Sequence, residues 1–422
     1  MICKNKSAAE IKFSMLFLSS IIFLWDIQIR LLVATVPSYL LLLAFPGVFV
    51  IKLRIREILL TFFLFIYLIY FTFLQKLQGV HIVKPSRTFV GLLIFSILVV
   101  LVRKYLLLLF RSEYAKRIFF KYIKYFLYLQ FTTQIIQLVL SKLGFFHSGY
   151  PYVWKLQRVP GLFAEPSHLV ISLTPLLFLY LYNKNFFYRY LGKKTFYILI
   201  FSLLLSPSST LVVLLLFAII FLFFQRVTIK NIIFGIIIFI IAIIAIFKIP
   251  AVKERFFSLL YGLYNAEISD SNLKNLSALI FLKGLEMAKY ALKHFPLGVG
   301  FLNLEFLNDY VVVSHLNKIL YDLNANDGSS IAFKIIGEFG YIGLLFLFTA
   351  VIYFLSLLKR YNKINIMKIF FLFGFISCFV RGTSYFDGYP IFALAILFNR
   401  YLRYFFIFES CKFRNIDYIY HL

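Results

Sequence analysis

Long apolar stretches alternate with short polar or basic connections along most of the chain. Stretches of roughly 17–25 apolar residues have the length that an α-helix needs to cross about 30 Å of hydrocarbon. Because the stretches are continuous, they lack the alternation of outer-membrane strands, and only helices satisfy their own backbone groups there. The pattern predicts an all-α, polytopic integral membrane protein with about 12 transmembrane helices. The predicted helices lie at residues 11–25, 31–51, 58–74, 89–102, 122–143, 167–182, 196–206, 208–224, 231–249, 330–357, 367–381 and 389–408.

One connection is much longer than the rest and is called the long loop here. It comprises residues 250–329 and separates predicted helices 1–9, in residues 1–249, from predicted helices 10–12 and a short tail, in residues 330–422. Its middle has apolar residues at helical spacing from Leu276 to Leu292, opposite a polar face that includes Lys283 and Glu286. We therefore expect an amphipathic helix here, and a lid that lies on the membrane surface.

Composition and charge agree with this class of protein. Hydrophobic residues make up 62% of the chain and charged residues 14%, whereas soluble domains are about half apolar and a quarter charged. The net charge is +27. With the N-terminus inside, about 27 Lys and Arg fall on the inner side and about 8 on the outer side, once the long loop is left out. Both termini are thus predicted to be cytoplasmic, with membrane lipid and not nucleic acid as the partner of the basic residues. Residues 103–121, which mix apolar and basic positions, are predicted to lie along the inner surface.

Three residues that could do chemistry sit where an outside segment meets the helix predicted at 167–182. They are Arg158, Glu165 and His168. Because charge near the hydrocarbon is costly, such residues often mark function. The alternative is a structural helix start, in which Glu165 precedes Pro166 at the first helical position and Arg158 reaches to the interface.

A second group lies near the outer boundary between the last two predicted helices. Arg381 occurs there in VRGTSYFDG, close to Tyr385 and Asp387. A structural pair of Arg381 with Asp387 is the alternative to a functional role. For Glu338, in FKIIGEFGYIG, the simpler interpretation is helix packing through the neighbouring glycines.

Several chemistries are not indicated by the sequence. It contains no Gly-rich loop with Lys and Ser or Thr, no Gly-x-Ser-x-Gly turn, and no His or Cys at metal-ligand spacing. Asp26 stands alone in the first outside connection, without the paired acid of a metal-dependent transferase. We expect no metal and no cofactor.

Five motifs follow one another between residues 150 and 390: RVPGLFAEPS, LLSPSST, HFPLGVG, SSIAFKIIGEFGYIGLLFLF and VRGTSYFDG. In this order they resemble the O-antigen polymerase and ligase superfamily. The resemblance implies a membrane glycosyltransferase-type enzyme of the bacterial inner membrane. Such an enzyme transfers a glycan from undecaprenyl diphosphate to an acceptor sugar hydroxyl on the periplasmic face, without metal or nucleotide. The resemblance also implies a helical fold with the active site under the long loop.

One position separates ligases from polymerases in this superfamily. Ligases carry a His-Asn pair upstream of the glutamate in the E-x-G-x-x-G stretch, whereas this chain has Ser329 and Ser330 upstream of Glu338. The chain therefore resembles the Wzy-type polymerases, which join repeat units of O-antigen, capsule or exopolysaccharide. An O-antigen ligase, a lipid-linked oligosaccharide flippase and a structural membrane component remain alternatives. The expected partners are the undecaprenyl-diphosphate-linked glycan, membrane lipid, a chain-length regulator protein and a flippase.

The expected chemistry assigns a role to the charged residues. Arginine forks match phosphate oxygens, so Arg158 and Arg381 are predicted to hold the diphosphate as it gathers charge. Glu165 is the first candidate for the base that activates the acceptor hydroxyl. The predicted catalytic residues are Glu165, Arg158 and Arg381, and the predicted substrate-binding residues are Arg255, His168, His294, Asp327 and Tyr385.

Overall fold

The computed structural model describes residues 8–30, 35–40, 42, 55–145, 159–206, 208–225, 276–311, 328–360, 363–382, 384–386 and 388–405. Within them the chain is helical except for one short hairpin and the connections. The helices are α1 (Ala8–Phe23), α2 (Ile55–Lys76), α3 (Pro85–Arg111), α4 (Glu113–Lys142), α5 (Pro166–Tyr182), α6 (Lys184–Tyr190), α7 (Lys193–Leu204), α8 (Ser209–Gln225), α9 (Leu276–His294), α10 (Ile331–Leu358), α11 (Lys363–Ser377) and α12 (Tyr389–Phe405). Short 3-10 turns cover Ser38–Leu40 and Leu304–Asp309.

Three of these helices are long and apolar enough to cross a membrane. They are α2 over Glu57–Lys76, α3 over Pro85–Arg111 and α10 over Ile331–Leu358. Shorter apolar helices cover Pro166–Tyr182, Ser209–Phe223, Ile364–Ser377 and Tyr389–Phe398. Length and composition thus support a helical membrane protein. The total of about 12 transmembrane helices stays a prediction, and the helix predicted at 231–249 lies outside the described residues.

A helix is predicted at residues 31–51, and this prediction is wrong for residues 35–40. Strand β1 (Gln28–Arg30) pairs antiparallel with β2 (Thr35–Pro37), and a 3-10 turn follows. The β-branched residues of β2 favour extended backbone. Beyond them, the Tyr39 ring is fully buried and its hydroxyl donates to the Phe386 carbonyl at 2.8 Å. The hairpin therefore ties the end of α1 to the connection between α11 and α12.

Residues 103–121 form the end of one helix and the start of the next, and their position along the inner surface stays a prediction. Helix α3 continues through Arg111, and α4 begins after Ser112, whose hydroxyl accepts the Ala115 N–H at 3.1 Å as an N-cap. Apolar side chains on both sides of this break are buried, among them Tyr105 and Phe119. The apolar face of this segment is thus part of the helix packing.

Helix α5 lies at the centre of the packing and carries the candidate site at its first turn. It contacts α7, α8 and α11, and nearly all of its side chains are buried. Phe178 of α5 stacks on Phe373 of α11 with ring centroids 4.0 Å apart. Pro166 begins the helix at a position that needs no backbone donor. Neighbouring helices therefore fix the end of α5 at which Glu165 and His168 lie.

The part of the long loop that follows α9 is held against a break in α10. Gly340 has a φ of 57° inside this helix, and a Cβ there would meet the Pro296 carbonyl. Two loop N–H groups replace helical donors, since Val299 N–H donates to the Gly337 carbonyl at 3.0 Å and Gly300 N–H to the Glu338 carbonyl at 3.1 Å. Only glycine adopts this backbone without strain. The HFPLGVG motif is thereby fixed beside α10.

Within the long loop, the predicted helix is confirmed as α9, which packs against α10. Met287 and Ala291 are buried and Glu286 is exposed. The prediction that Lys283 belongs to the polar face is wrong, because its side chain is 5% exposed. Its neighbour Gly284 lies against the Gly328 carbonyl, so this part of α9 packs close to the start of α10.

Candidate functional site

Three glutamines of α4 hold the segment that leads into α5. Gln130, Gln134 and Gln137, called the glutamine row here, recur at helical spacing and so share one face of α4. They contact the backbone of residues 159–162. The hydrogen bonds run from Gln130 Nε2 to Pro160 O (3.0 Å), Leu162 N to Gln130 Oε1 (2.7 Å), Gln134 Nε2 to Val159 O (3.0 Å), Gln137 Nε2 to Gly161 O (2.9 Å) and Gly161 N to Gln137 Oε1 (2.8 Å). Because the row anchors this backbone, it sets the position of Glu165.

Glu165 pairs with an arginine from a distant part of the chain. Nη2 of Arg381, between α11 and α12, lies 3.1 Å from Oε2 and 3.4 Å from Oε1 of Glu165. Burial raises the pKa of Glu165, but the charges of His168 and Arg381 outweigh it, and the net pKa is lowered. Glu165 is therefore a carboxylate at neutral pH. Arg381 is 9% exposed, and its buried Nε has no hydrogen-bond partner within the described residues.

His168, in the first turn of α5, contacts an acid that the sequence had left without a role. Its Nδ1 lies 3.0 Å from Oδ2 of Asp26, in the connection between α1 and β1. The same oxygen accepts the Ala164 N–H at 2.5 Å. The Trp25 ring covers His168 at a centroid distance of 5.0 Å. Asp26 thus orients His168 and holds the residue next to Glu165.

A second buried group lies around Tyr385. Lys334 Nζ is 3.9 Å from Oε1 of Glu338, and the two side chains are 1% and 0% exposed. Oε2 of Glu338 accepts the Leu302 N–H at 2.9 Å, so Glu338 does more than pack through its glycines. The Tyr385 ring stacks on Phe301 at 5.0 Å and has Lys334 Nζ at 5.5 Å. Burial and the neighbouring Glu338 raise the pKa of Tyr385 well above its ordinary value, which keeps it a neutral hydroxyl.

The five sequence motifs meet in the fold. The first motif, RVPGLFAEPS, contacts both LLSPSST and VRGTSYFDG. The motif VRGTSYFDG also contacts the start of SSIAFKIIGEFG. That segment in turn contacts HFPLGVG. The joining contacts are Val159 N to Leu205 O (3.3 Å), Arg381 to Glu165, Gly382 N to Ser329 O (3.4 Å) and Val299 N to Gly337 O (3.0 Å). Segments that lie far apart in the sequence therefore form one continuous group.

Other predicted site residues are placed differently. Arg158, Arg255 and Asp327 lie outside the described residues, as does Asp387, the alternative partner of Arg381. His294 is exposed at the end of α9, where its ring stacks on Tyr290 at 4.2 Å. It makes no hydrogen bond or ion pair to Glu165 or Arg381 in the part of the chain that is described.

The sequence interpretation missed Asp26 and the glutamine row. Asp26 lacks a neighbouring acid in the sequence, but its position at the end of an apolar stretch, next to Trp25, is a usable signal. The spacing of the glutamines in QFTTQIIQ is visible in the sequence and indicates one polar helix face. Among the described residues, no cluster of three or more His, Cys, Asp or Glu could hold a metal ion. No family model, curated protein or solved structure matches the chain.

Proposed function

We propose that the protein polymerises undecaprenyl-diphosphate-linked oligosaccharide repeat units at the periplasmic face of a bacterial inner membrane. In this reaction an acceptor sugar hydroxyl attacks the anomeric carbon of the growing chain. The new C–O bond replaces the bond to the diphosphate, and undecaprenyl diphosphate leaves with the electron pair. The proton of the hydroxyl passes to a protein base.

The observation that carries the proposal is the group formed by the five motifs. Residues that suit the reaction chemically come together there from distant segments: a buried arginine, a carboxylate and a histidine oriented by a second carboxylate. The contacts among them are long-range, so their proximity does not follow from the order of the motifs along the chain. A group of this composition at the outer end of apolar helices suits an anionic, lipid-linked substrate.

The chemistry of the group assigns the roles. Arg381 and Arg158 hold the diphosphate, where a fixed cation stabilises the charge that develops on the leaving group. Arg381 is a suitable binder because its buried Nε is not engaged within the described residues, and its planar fork fits phosphate oxygens. Glu165 keeps the guanidinium oriented when no substrate is bound. The long loop covers the site, with about 12 membrane helices around it.

The test is the polysaccharide profile of a strain in which the gene is deleted. We expect single repeat units on an otherwise intact lipid core, or lipid-linked single repeats where the product is a capsule. Complementation with the unaltered gene should restore long chains. Complementation with the Arg381→Ala gene should not restore them. A lipid core that carries no repeat unit at all would contradict the proposal and favour a ligase or a flippase.

A matched control is available in the same chain. Arg189 also pairs with a glutamate, at 3.2 Å from Glu113, but its side chain is 51% exposed. Arg189→Ala should therefore leave chain length unchanged at equal amounts of membrane-inserted protein. Equal loss from both substitutions would mean that general damage, and not the site, explains the Arg381 phenotype.

A further inference from the structure

Exposure falls stepwise from Glu165 through His168 to Asp26. Their side chains are 35%, 8% and 6% exposed. Nε2 of His168 faces Oε2 of Glu165 at 3.9 Å, while Nδ1 on the opposite side of the ring lies 3.0 Å from Asp26. The three groups thus form a line that leads from the solvent-accessible carboxylate into the protein.

The contact with Asp26 determines which ring nitrogen can accept a proton. An ionised carboxylate has no proton to donate, so Nδ1 must carry the hydrogen in this contact. Nε2 then holds the lone pair in the neutral ring. This nitrogen is buried and has no hydrogen-bond partner among the described residues. It is therefore oriented toward Glu165, and it is the atom that receives a proton when the ring is neutral.

Glu165 alone is poorly suited to keep a proton. Its pKa is lowered, since the neighbouring charges outweigh burial, and Arg381 lies 3.1 Å away. A base with such neighbours can receive a proton from a reacting hydroxyl only if it passes the proton on. His168 is the adjacent group that can take it. The distance of 3.9 Å is longer than a hydrogen bond, as is common for catalytic contacts before substrate binds.

We propose that Asp26, His168 and Glu165 form a proton relay, in which Glu165 receives the proton of the acceptor hydroxyl and passes it to Nε2 of His168. The relay rests on the function proposed above. The hydroxyl O–H bond breaks as the new C–O bond forms, and the lipid diphosphate leaves with the electron pair of the broken glycosyl bond. The proton ends on His168 as an imidazolium paired with Asp26, while Glu165 is again a carboxylate beside Arg381. It returns to solvent through Glu165 before the next cycle.

Three charged groups surround the ring of His168. Asp26 from the connection after α1 lies against Nδ1, Glu165 from the start of α5 faces Nε2, and Arg381 from the connection before α12 pairs with Glu165. Trp25 covers one face of the ring. We therefore expect the rate of polymerisation to fall at low pH, because His168 is already protonated there and cannot accept another proton.

The experiment uses the full chain in proteoliposomes, with lipid-linked repeat units extracted from the deletion strain. Asp26→Asn keeps the oxygen that accepts both the Ala164 N–H and the Nδ1–H of His168, but it removes the charge that stabilises the imidazolium. We expect the rate to fall about 10²- to 10⁴-fold, with binding of the lipid-linked repeat unchanged. The rate of the His168→Gln variant should fall by a similar factor. His81→Gln, at an exposed histidine outside the site, should keep the full rate.

Two further measurements separate the relay from a structural role. Imidazole in the buffer should restore part of the rate of His168→Ala and none of the rate of Arg381→Ala. Nitrogen NMR of the folded Asp26→Asn protein should show that His168 loses its proton at a lower pH than in the unaltered protein. Full rates in both Asp26→Asn and His168→Gln, with Arg381→Ala inactive, would overturn the relay and leave the proposed function intact. An unaltered protein that elongates nothing would overturn both.

Discussion

The glutamine row gives the sharpest prediction on stability, and Gln130 is its most informative member. This side chain is fully buried, donates to the Pro160 carbonyl and accepts the Leu162 N–H. Gln130→Leu keeps the size of the side chain but leaves the buried Pro160 carbonyl and the partly buried Leu162 N–H without this partner. Each orphaned group costs about 1–3 kcal/mol. The free energy of unfolding should thus fall by about 2–6 kcal/mol.

Gln137 is the matched control, because it makes the same pair of contacts to a single residue, Gly161. Its side chain is only partly buried, so water can replace the lost amide. Gln137→Leu should therefore cost about 1–3 kcal/mol, the net value of two hydrogen bonds. The difference between the two variants measures the effect of burial alone.

The assay is unfolding of the purified proteins in mixed micelles of increasing SDS content, followed by tryptophan fluorescence and circular dichroism. The same variants are assayed for chain elongation. Gln130→Leu should also lose activity, because the backbone that it anchors leads directly to Glu165. A loss of stability that is equal for the two variants, or smaller for Gln130→Leu, would refute the reasoning.

Three other outcomes are expected. The pKa of Glu165 is lowered from its ordinary 4.5 in the folded protein. Its contribution to stability should therefore be complete above pH 4.5 and disappear as the pH falls through the pKa of the folded state. Thermal unfolding of Glu165→Gln and of the unaltered protein, compared over a range of pH, checks this. Gly340→Ala should unfold at lower temperature, since the φ of 57° and the nearby Pro296 carbonyl both disfavour a side chain. Reporter fusions at Lys194 and Asn303 should report cytoplasm and periplasm respectively, and a cytoplasmic signal from Asn303 would disprove the predicted topology.

The sequence predicted helices well where a single pattern decides the outcome. Apolar stretches such as those of α3, α5 and α10 needed no knowledge of their neighbours. The errors lie where tertiary contacts decide. Residues 35–40 are extended or 3-10 because Tyr39 is anchored to a connection that is distant in sequence. Lys283 is buried because α9 faces α10 on a side that the apolar pattern alone did not mark.

The candidate site shows the same limit. Glu165, His168 and Arg381 were each singled out as charged groups at the ends of apolar stretches, a property of the local sequence. Their partners were not predictable in this way. The pairing of Arg381 with Glu165 and of His168 with Asp26 joins positions 216 and 142 residues apart, so it depends on how α1, α5 and α11 pack together.

The central claim is that this site joins lipid-linked repeat units, and reconstitution tests it most directly. Purified protein in proteoliposomes is given undecaprenyl-diphosphate-linked repeat units, and chain length and released undecaprenyl diphosphate are measured together. We expect long chains with one diphosphate released per unit added. Arg381→Lys should reduce the rate sharply at unchanged protein level, because lysine keeps the charge but loses the planar fork. Repeat units that stay single with the unaltered protein, or equal chain growth with Arg381→Lys, would contradict the account.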